Sequence, residues 1–197
     1  MKLNWVERWF VNSPIRLAVQ SLEMQWFKKH LALEAGAEVL EVGCGRGAGA
    51  GLILANYAPA HLYLLDLDIL MIEKARIYLS EVKTDSIVFG VANVNSLPFE
   101  DGCLDAVFGF GFLHHVLDWR RGLHEIARVL KKGGAYCIEE LYPSLYQNFI
   151  TKRLLVHPEY DRFKSKELHD ALTRVNLNLT HTLESKYMGI LGIGIKN

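Results

Sequence analysis

The stretch "VLEVGCGRGAGAG", Val39 to Gly51, sets five glycines within nine positions directly after an apolar run. Glycine inside regular structure costs roughly 0.5–1 kcal/mol per residue relative to alanine. Crowding of this kind therefore asks what must come so close to the backbone that side chains are excluded. An apolar strand running into a glycine turn and then a helix opens a βα unit. In open α/β sheets, ligands sit beyond the carboxyl ends of the strands, facing helix N–H groups. A tight strand-to-helix turn that binds nothing is the plainer alternative, but it leaves the next acidic residue without a role.

That residue is Asp66, at the end of the second apolar run in "LYLLDLD". A carboxylate there accepts two hydroxyl donors and so suits a ribose diol. Asp68 is better placed to cap the helix that follows. Glycine loop and strand-end aspartate together fit a dinucleotide or any adenosine-bearing ligand.

Strands and helices alternate outward from this unit. Val39–Val42, His61–Leu65, Ile87–Val91, Leu104–Phe110 and Ala135–Glu139 read as strands. Gly51–Tyr57 and the segment from Asp68 to about Leu79 read as helices. So does the segment capped by Asp118, with Lys131 and Lys132 in its last turn and Gly133 as its stop. Ser165 caps a further helix through Val175. Leu177–Tyr187 and Ile190–Lys196 then form two strands joined through Met188-Gly189. This rhythm predicts a Rossmann-like, doubly wound α/β fold with a mostly parallel seven-stranded sheet. An antiparallel C-terminal hairpin forms one edge, and an N-terminal helical cap completes the fold.

Composition narrows the function. The 197 residues are half hydrophobic and sufficient for one domain. We divide it into a cap or lid at 1–35, a core at 36–140, a substrate-side segment at 141–164 and the terminal helix and hairpin at 165–197. Formal net charge is zero and the pI is about 7.1, with no basic stripe for nucleic acid. Cys44, Cys103 and Cys137 match neither a disulfide framework nor a zinc spacing, which suits a reducing, cytoplasmic setting. Glu7 and Arg8 interrupt the first apolar region, so no signal peptide is read. The uncharged run Gly47–Leu65 is broken by Asn56, Pro59 and His61 and is not a membrane span.

"EVGCGRG", "LLDLDILMIEKA", "VANVNSLPFEDGCLDAVF", "FLHHV" and "VLKKGG" follow one another here in a particular order and spacing. That series resembles the class I S-adenosylmethionine-dependent methyltransferases. It is closest to their small-molecule branch, which includes ubiquinone and menaquinone biosynthesis enzymes. The resemblance covers roughly Ala37 to Glu140. It implies S-adenosyl-L-methionine as cofactor, S-adenosyl-L-homocysteine as product and a small or lipophilic acceptor methylated at oxygen or carbon.

The resemblance also implies residue roles. The backbone of Gly43, Cys44, Gly45 and Gly47 would run under the methionine and ribose, with Glu41 near the methionine amine. Asp66 would hold the ribose hydroxyls and Leu67 one face of the adenine, with Asn93 and Val94 along its edge. Gly109 and Phe110 would face the methionine end. Asparagine at 93 departs from the family's common aspartate, although its amide can still serve adenine.

Methyl transfer from a sulfonium is an in-line displacement, so alignment and exclusion of water come before acid–base groups. His114 and His115 diverge as neighbours and chelate poorly, and no metal is expected. Structural packing is one reading of the pair. In the other, His114 removes a proton from a phenol or enol acceptor. The acceptor should then lie near His115, Glu139, Glu140 and Tyr142. The aromatic residues Trp5, Trp9, Phe10, Trp26 and Phe27 either complete the fold or form a lid, with at most transient membrane contact. A nicotinamide-dependent oxidoreductase and a non-catalytic cofactor-binding protein remain as alternatives at this point.

Overall fold

The computed structural model describes residues 14–82, 85–146 and 162–197. Helix α1 spans Pro14–His30. The first βα unit follows as β1, Glu38–Val42, and α2, Ala48–Tyr57. Next come β2, His61–Asp66; α3, Ile69–Tyr78; β3, Ile87–Val91; and β4, Leu104–Phe110. A 3-10 turn at Leu113–His115 leads to α4, Trp119–Val129, and β5, Leu130–Leu141. A short α5, Pro143–Tyr146, precedes α6, Ser165–Arg174, then β6, Leu177–Ser185, and β7, Gly189–Lys196.

The seven strands run in the order β3-β2-β1-β4-β5-β7-β6. Strands β1 to β5 pair in parallel, and β7 inserts antiparallel between β5 and β6. The sequence-based architecture is thus the observed one. Its β1/β4 neighbour pair marks the place where the winding reverses, so a crevice opens above the carboxyl end of β1. Buried strands supply alternating side chains to two cores. Leu40, Val42, Val107 and Ile138 face α4 and α6, whereas Val39, Ala106, Phe108 and Cys137 face α1 and α2. Trp119 anchors the first core and Phe27 the second, both fully buried.

Local chemistry explains the helix starts. Asp68 accepts the Leu70 N–H at 3.0 Å and Asp118 the Arg121 N–H at 3.1 Å, the capping roles read from sequence. Several boundaries differ. Helix α2 begins at Ala48 rather than Gly51, because Gly47 takes a left-handed φ of 87° and starts the turn. Helix α4 stops at Val129, before Lys131, Lys132 and Gly133. Leu130 already pairs with Leu104, and Lys131 reaches Asp105 at 2.8 Å, so β4 draws these residues into a strand. Ser165 is the first residue of α6 and not its cap. Lys164 precedes it in extended conformation and donates its N–H to Glu167 at 3.0 Å. Strand β6 ends at Ser185, since the Met188 N–H turns back to the Ser185 carbonyl.

The C-terminal half of α1 belongs to the body of the fold. Met24 and Phe27 are fully buried, with Phe27 edge-on to Phe108 at 5.9 Å and to Phe110 at 6.1 Å. Trp5, Trp9 and Phe10, and most of the segment 141–164, lie outside the described residues.

Candidate active site

The glycine loop is built by backbone conformation. Gly43, Gly45 and Gly47 take φ values of 66°, 53° and 87°, a region that costs other residues about 1 kcal/mol or more. Their surroundings differ. A side chain on Gly43 would meet Phe112 at 2.6 Å, and one on Gly47 would meet Leu79 and Ala75 at 3.1–3.2 Å. At Gly45 nothing lies within 4 Å, so its bare backbone faces open space. That is the cradle the crowding asked for.

Two carboxylates flank the cradle. Asp66, at the tip of β2, accepts the Gly45 N–H at 3.0 Å and the Asp68 N–H at 2.9 Å. Glu41, beneath the loop on β1, is only 2 % exposed. One of its oxygens takes the Ala50 N–H, while Oε2 has no hydrogen-bond partner. Burial, with Asp66 nearby, pushes the Glu41 carboxyl up to about 8. Buried polar atoms are nearly always satisfied. An orphaned carboxylate oxygen beside an open cradle therefore fits a cationic group of a ligand, as the methionine end of S-adenosylmethionine would supply. Cys44 contributes only backbone here, its N–H donating to Leu65 O at 3.1 Å, and burial pushes its thiol up.

On the other side of Asp66, Leu67 is 62 % exposed at the end of β2. Opposite it, the 93–99 segment is pinned from α4. Glu125 accepts the Leu97 N–H at 2.8 Å, Arg121 donates to Asn95 O at 2.8 Å, and Arg128 donates to Phe99 O at 2.8 Å. Val94 packs into the core beside Gly122. The Asn93 Oδ1 accepts the Asn95 N–H at 3.0 Å, shaping its own loop. An exposed leucine facing an anchored loop fits a flat ring.

Gly109 is a glycine for a different reason than its proposed ligand contact. A side chain there would overlap the Phe112 ring at 2.5 Å. Phe110 points towards α1 and stacks on Phe108 at 6.1 Å. Phe112, which wedges beneath both Gly43 and Gly109, escaped the sequence reading, although "FGFGFL" carries the signal.

The end of β5 carries two adjacent acids, which alternate in direction as strand residues must. Glu140 is fully buried and accepts the N–H groups of Phe112, Leu113 and His114 at 3.1, 2.6 and 3.3 Å. Its Oε2 also lies 2.6 Å from His114 Nδ1. Glu139 turns to α1, where Arg16 bridges it at 2.7 Å and Glu23 at 2.9 Å. Gln20, also buried on α1, approaches Gly49 next to Glu41. Arg16 stands over a hundred residues from the strand it meets, and no motif marks either it or Gln20.

Around Gly111, Glu139 Oε2 and His114 Cε1 would lie 3.3 and 3.7 Å from an added side chain. His114, Glu139 and the bare backbone at 111 thus converge at the top of β4 and β5. The His115 ring lies beside that of His114 at 4.2 Å. Tyr142 does not join them. Its buried hydroxyl donates to Glu184 on β6, on the α6 side of the sheet. Among the described residues, no group of three or more His, Cys, Asp or Glu could hold a metal ion.

Burial pushes His114 down to about 3 and Glu140 up to about 8, the latter against three backbone donors that favour its ionised form. Between about pH 3 and about pH 8 the pair is therefore net neutral. Loss of one proton above that leaves Nδ1–H donating to the carboxylate and a lone pair on Nε2.

Comparisons with known proteins agree with this geometry. A family model described as "Methyltransferase domain" matches residues 40–138. An O-methyltransferase, resE, of Aspergillus sclerotiorum is 34 % identical over 112 residues, covering 56 % of this chain and 42 % of that protein. The ubiquinone/menaquinone biosynthesis C-methyltransferase UbiE of Geobacter sp. strain M21 is 31 % identical over 153 residues. It matches 71 % of this chain and 64 % of its own length, so the chain spans less than two thirds of either relative. Geranyl diphosphate C-methyltransferase of Streptomyces coelicolor, solved with Mg2+, geranyl diphosphate and S-adenosyl-L-homocysteine, has the same fold. Its TM-score is 0.76 at 14 % identity, covering 99 % of this chain and 91 % of that one. By its glycine loop, its strand order and a family model matched across the whole cofactor-side core, the chain belongs to the methyltransferase domain family, in its class I, Rossmann-like form.

Proposed function

We propose that this protein transfers a methyl group from S-adenosyl-L-methionine to a small or lipophilic acceptor at oxygen or carbon, releasing S-adenosyl-L-homocysteine. The observation that carries the reading is the orphaned, buried Glu41 Oε2 beside the open backbone of Gly45. When bound, the cofactor supplies a methyl group already activated on a sulfonium. Glu41 meets the methionine ammonium, Asp66 the ribose diol, and Leu67, Val94 and Asn93 the adenine. Helix α1 closes the methionine side through Gln20 and the Arg16–Glu139 bridge, which excludes water. A nicotinamide cofactor carries no ammonium for Glu41 Oε2 to meet. Family relatives named as O- and C-methyltransferases support transfer to a small molecule. Three free cysteines support a reducing, cytoplasmic setting.

His114 is the residue we assign to proton removal, with Glu140 positioning it and His115 and Glu139 bordering the acceptor. For a hydroxyl acceptor, the rate should rise with pH through about 8 as the pair loses its proton. A flat profile from pH 6.5 to 9 with a phenolic acceptor would remove the base role and leave packing.

Two binding experiments test the cofactor reading. Asp66→Ala should weaken S-adenosylhomocysteine binding by about 1.5–3 kcal/mol, roughly tenfold or more, through lost charge-assisted hydrogen bonds. Equal affinity by calorimetry would end the ribose assignment. Glu41 gives a sharper sign. Free protein at pH 7 holds this carboxyl largely protonated, and an ammonium favours its ionised form. Binding at pH 7 should then release roughly one proton and tighten as pH rises towards 8. Calorimetry in buffers of different ionisation enthalpy reads the proton directly, and Glu41→Gln should abolish its release. The same raised carboxyl works against the ligand-free fold. It is neutral in both folded and unfolded chains below about 4.5, and stability falls as pH climbs from there through about 8.

A further inference from the structure

Helix α1 buries one polar side chain that the fold leaves unsatisfied. Gln20 is only 6 % exposed, and among the described residues its amide makes no hydrogen bond. Buried amides are nearly always paired, because an unmet donor or acceptor has given up its hydration for nothing. The place of this one is fixed from three sides. A side-chain carbon built on Gly49, in the first turn of α2, would lie 3.0 Å from Gln20 Nε2, 2.9 Å from the Phe110 ring and against Glu41 Oε1. Gln20 therefore stands beside the carboxyl whose Oε2 also has no partner. An amide with donors to give and a carboxyl with a lone pair to share are thus set side by side, next to the open backbone of the glycine loop.

The cations of this region are engaged elsewhere. Arg16, one turn before Gln20 on the same face of α1, is held by Glu139 at 2.7 Å and by Glu23 at 2.9 Å. Arg46, within the glycine loop, lies over the Tyr78 ring at 5.6 Å, and Lys28 lies over the Tyr57 ring at 4.7 Å. What meets an anion beside Glu41 is then the Gln20 NH2, next to the positive end of α2. An α-amino acid carries its ammonium and its carboxylate on one carbon. A ligand whose ammonium meets Glu41 Oε2 therefore brings its carboxylate among the neighbours of Glu41, and Gln20 is the neighbour with free donors. A neutral amide suits that position, because it holds the carboxylate without adding a cation that competes with the ammonium for Glu41.

We propose that Gln20 is a specificity-determining residue for the cofactor: its NH2 donates to the methionine carboxylate while Glu41 takes the ammonium. The two residues then select an intact amino-acid end and discriminate against nucleosides that lack it. The assignment rests on the methyltransferase reading, and the choice of probes separates the two. Calorimetry on the full chain compares S-adenosylhomocysteine, the same thioether without its carboxylate, and methylthioadenosine, which keeps only the nucleoside and the sulfur. The parent should bind S-adenosylhomocysteine about tenfold or more tighter than the decarboxylated thioether, the worth of a hydrogen bond to a charged group. Gln20→Leu should weaken S-adenosylhomocysteine by the same factor and change the other two by less than about twofold, so that the preference disappears. Gln20→Glu turns a carboxylate towards the ligand's own. It should weaken S-adenosylhomocysteine further, while the decarboxylated amine binds at least as tightly as to the parent. Methylthioadenosine binding by each variant also reports that the nucleoside half of the site is intact. A Gln20→Leu protein that loses the same factor for all three ligands overturns the proposal, because Gln20 would then only pack α1 against the sheet. So does a parent that binds the thioether equally with and without its carboxylate. Either result leaves S-adenosylhomocysteine bound and the methyltransferase reading in place, whereas a parent that binds none of the three ligands removes that reading and this assignment together.

Discussion

Replacing Glu140 by alanine is expected to destabilise the fold by about 3–5 kcal/mol, because several buried donors lose their acceptor at once. Three backbone N–H groups of consecutive residues converge on this carboxyl, and His114 Nδ1 lies 2.6 Å from it. Alanine leaves all three N–H groups buried without acceptors, each a desolvation penalty of roughly 1–3 kcal/mol before relaxation. Glu140→Gln keeps one acceptor oxygen and turns an NH2 towards donors, so its loss should be intermediate, about 1–3 kcal/mol. Urea denaturation of the three proteins reads the order directly. The imidazole nitrogens supply a second readout. In the parent above pH 8, the 15N spectrum should show His114 protonated at Nδ1, and in Glu140→Gln that tautomer should no longer be fixed. A loss below about 1 kcal/mol for alanine would mean that the 112–114 turn stands without Glu140 and that the acid is not its keystone.

The parts of this architecture that sequence made legible are those governed by local chemistry. Alternate glycines before an apolar helix announced a loop of bare backbone, and Gly43, Gly45 and Gly47 form it, each with positive φ. Asp68 and Asp118 cap the helices they precede because the side-chain oxygen needs only the next two or three N–H groups. Long-range pairing was not legible. Glu139 and Glu140 stand out in "CIEELY", but which face each serves depends on the β4–β5 register and on a helix more than a hundred residues earlier. The same cause misplaced the start of β5, where helix-stop residues at 131–133 were overridden by pairing with β4. Tyr142, grouped with the acceptor because of its closeness in sequence to Glu140, is carried away by Glu184 on β6. Gly109 looked like its loop counterparts, yet a neighbouring aromatic ring accounts for it. That glycines crowd is therefore visible in sequence, whereas which neighbour demands each of them is not.

That distinction gives the second large effect, a contrast between identical substitutions two residues apart. Gly49 and Gly51 both lie in α2 with helical backbone, where alanine is intrinsically favoured by about 1 kcal/mol. At Gly51 an added side chain finds Leu79 and Tyr78 at 3.8 and 3.9 Å, ordinary contact distances. Gly51→Ala should therefore stabilise the fold by up to about 1 kcal/mol and leave S-adenosylhomocysteine binding unchanged. At Gly49 the added carbon would fall on the Glu41 carboxylate, with Phe110 at 2.9 Å and Gln20 at 3.0 Å. Glu41 and Gln20 are buried and Phe110 is partly buried against α1 and β4, so the added carbon meets crowded neighbours on three sides. Overpacking at such a site costs about 1–3 kcal/mol and cancels the helical gain. Its larger consequence falls on the ligand, because Glu41 must move from beneath the cradle it serves. Gly49→Ala should lose S-adenosylhomocysteine affinity a hundredfold or more, about 2.7 kcal/mol, with the proton release at pH 7 lost as well. Denaturation and calorimetry on the two variants separate the effects. If Gly49→Ala binds as tightly as Gly51→Ala, then Glu41 is not the group that meets the methionine ammonium, and its orphaned oxygen has another explanation.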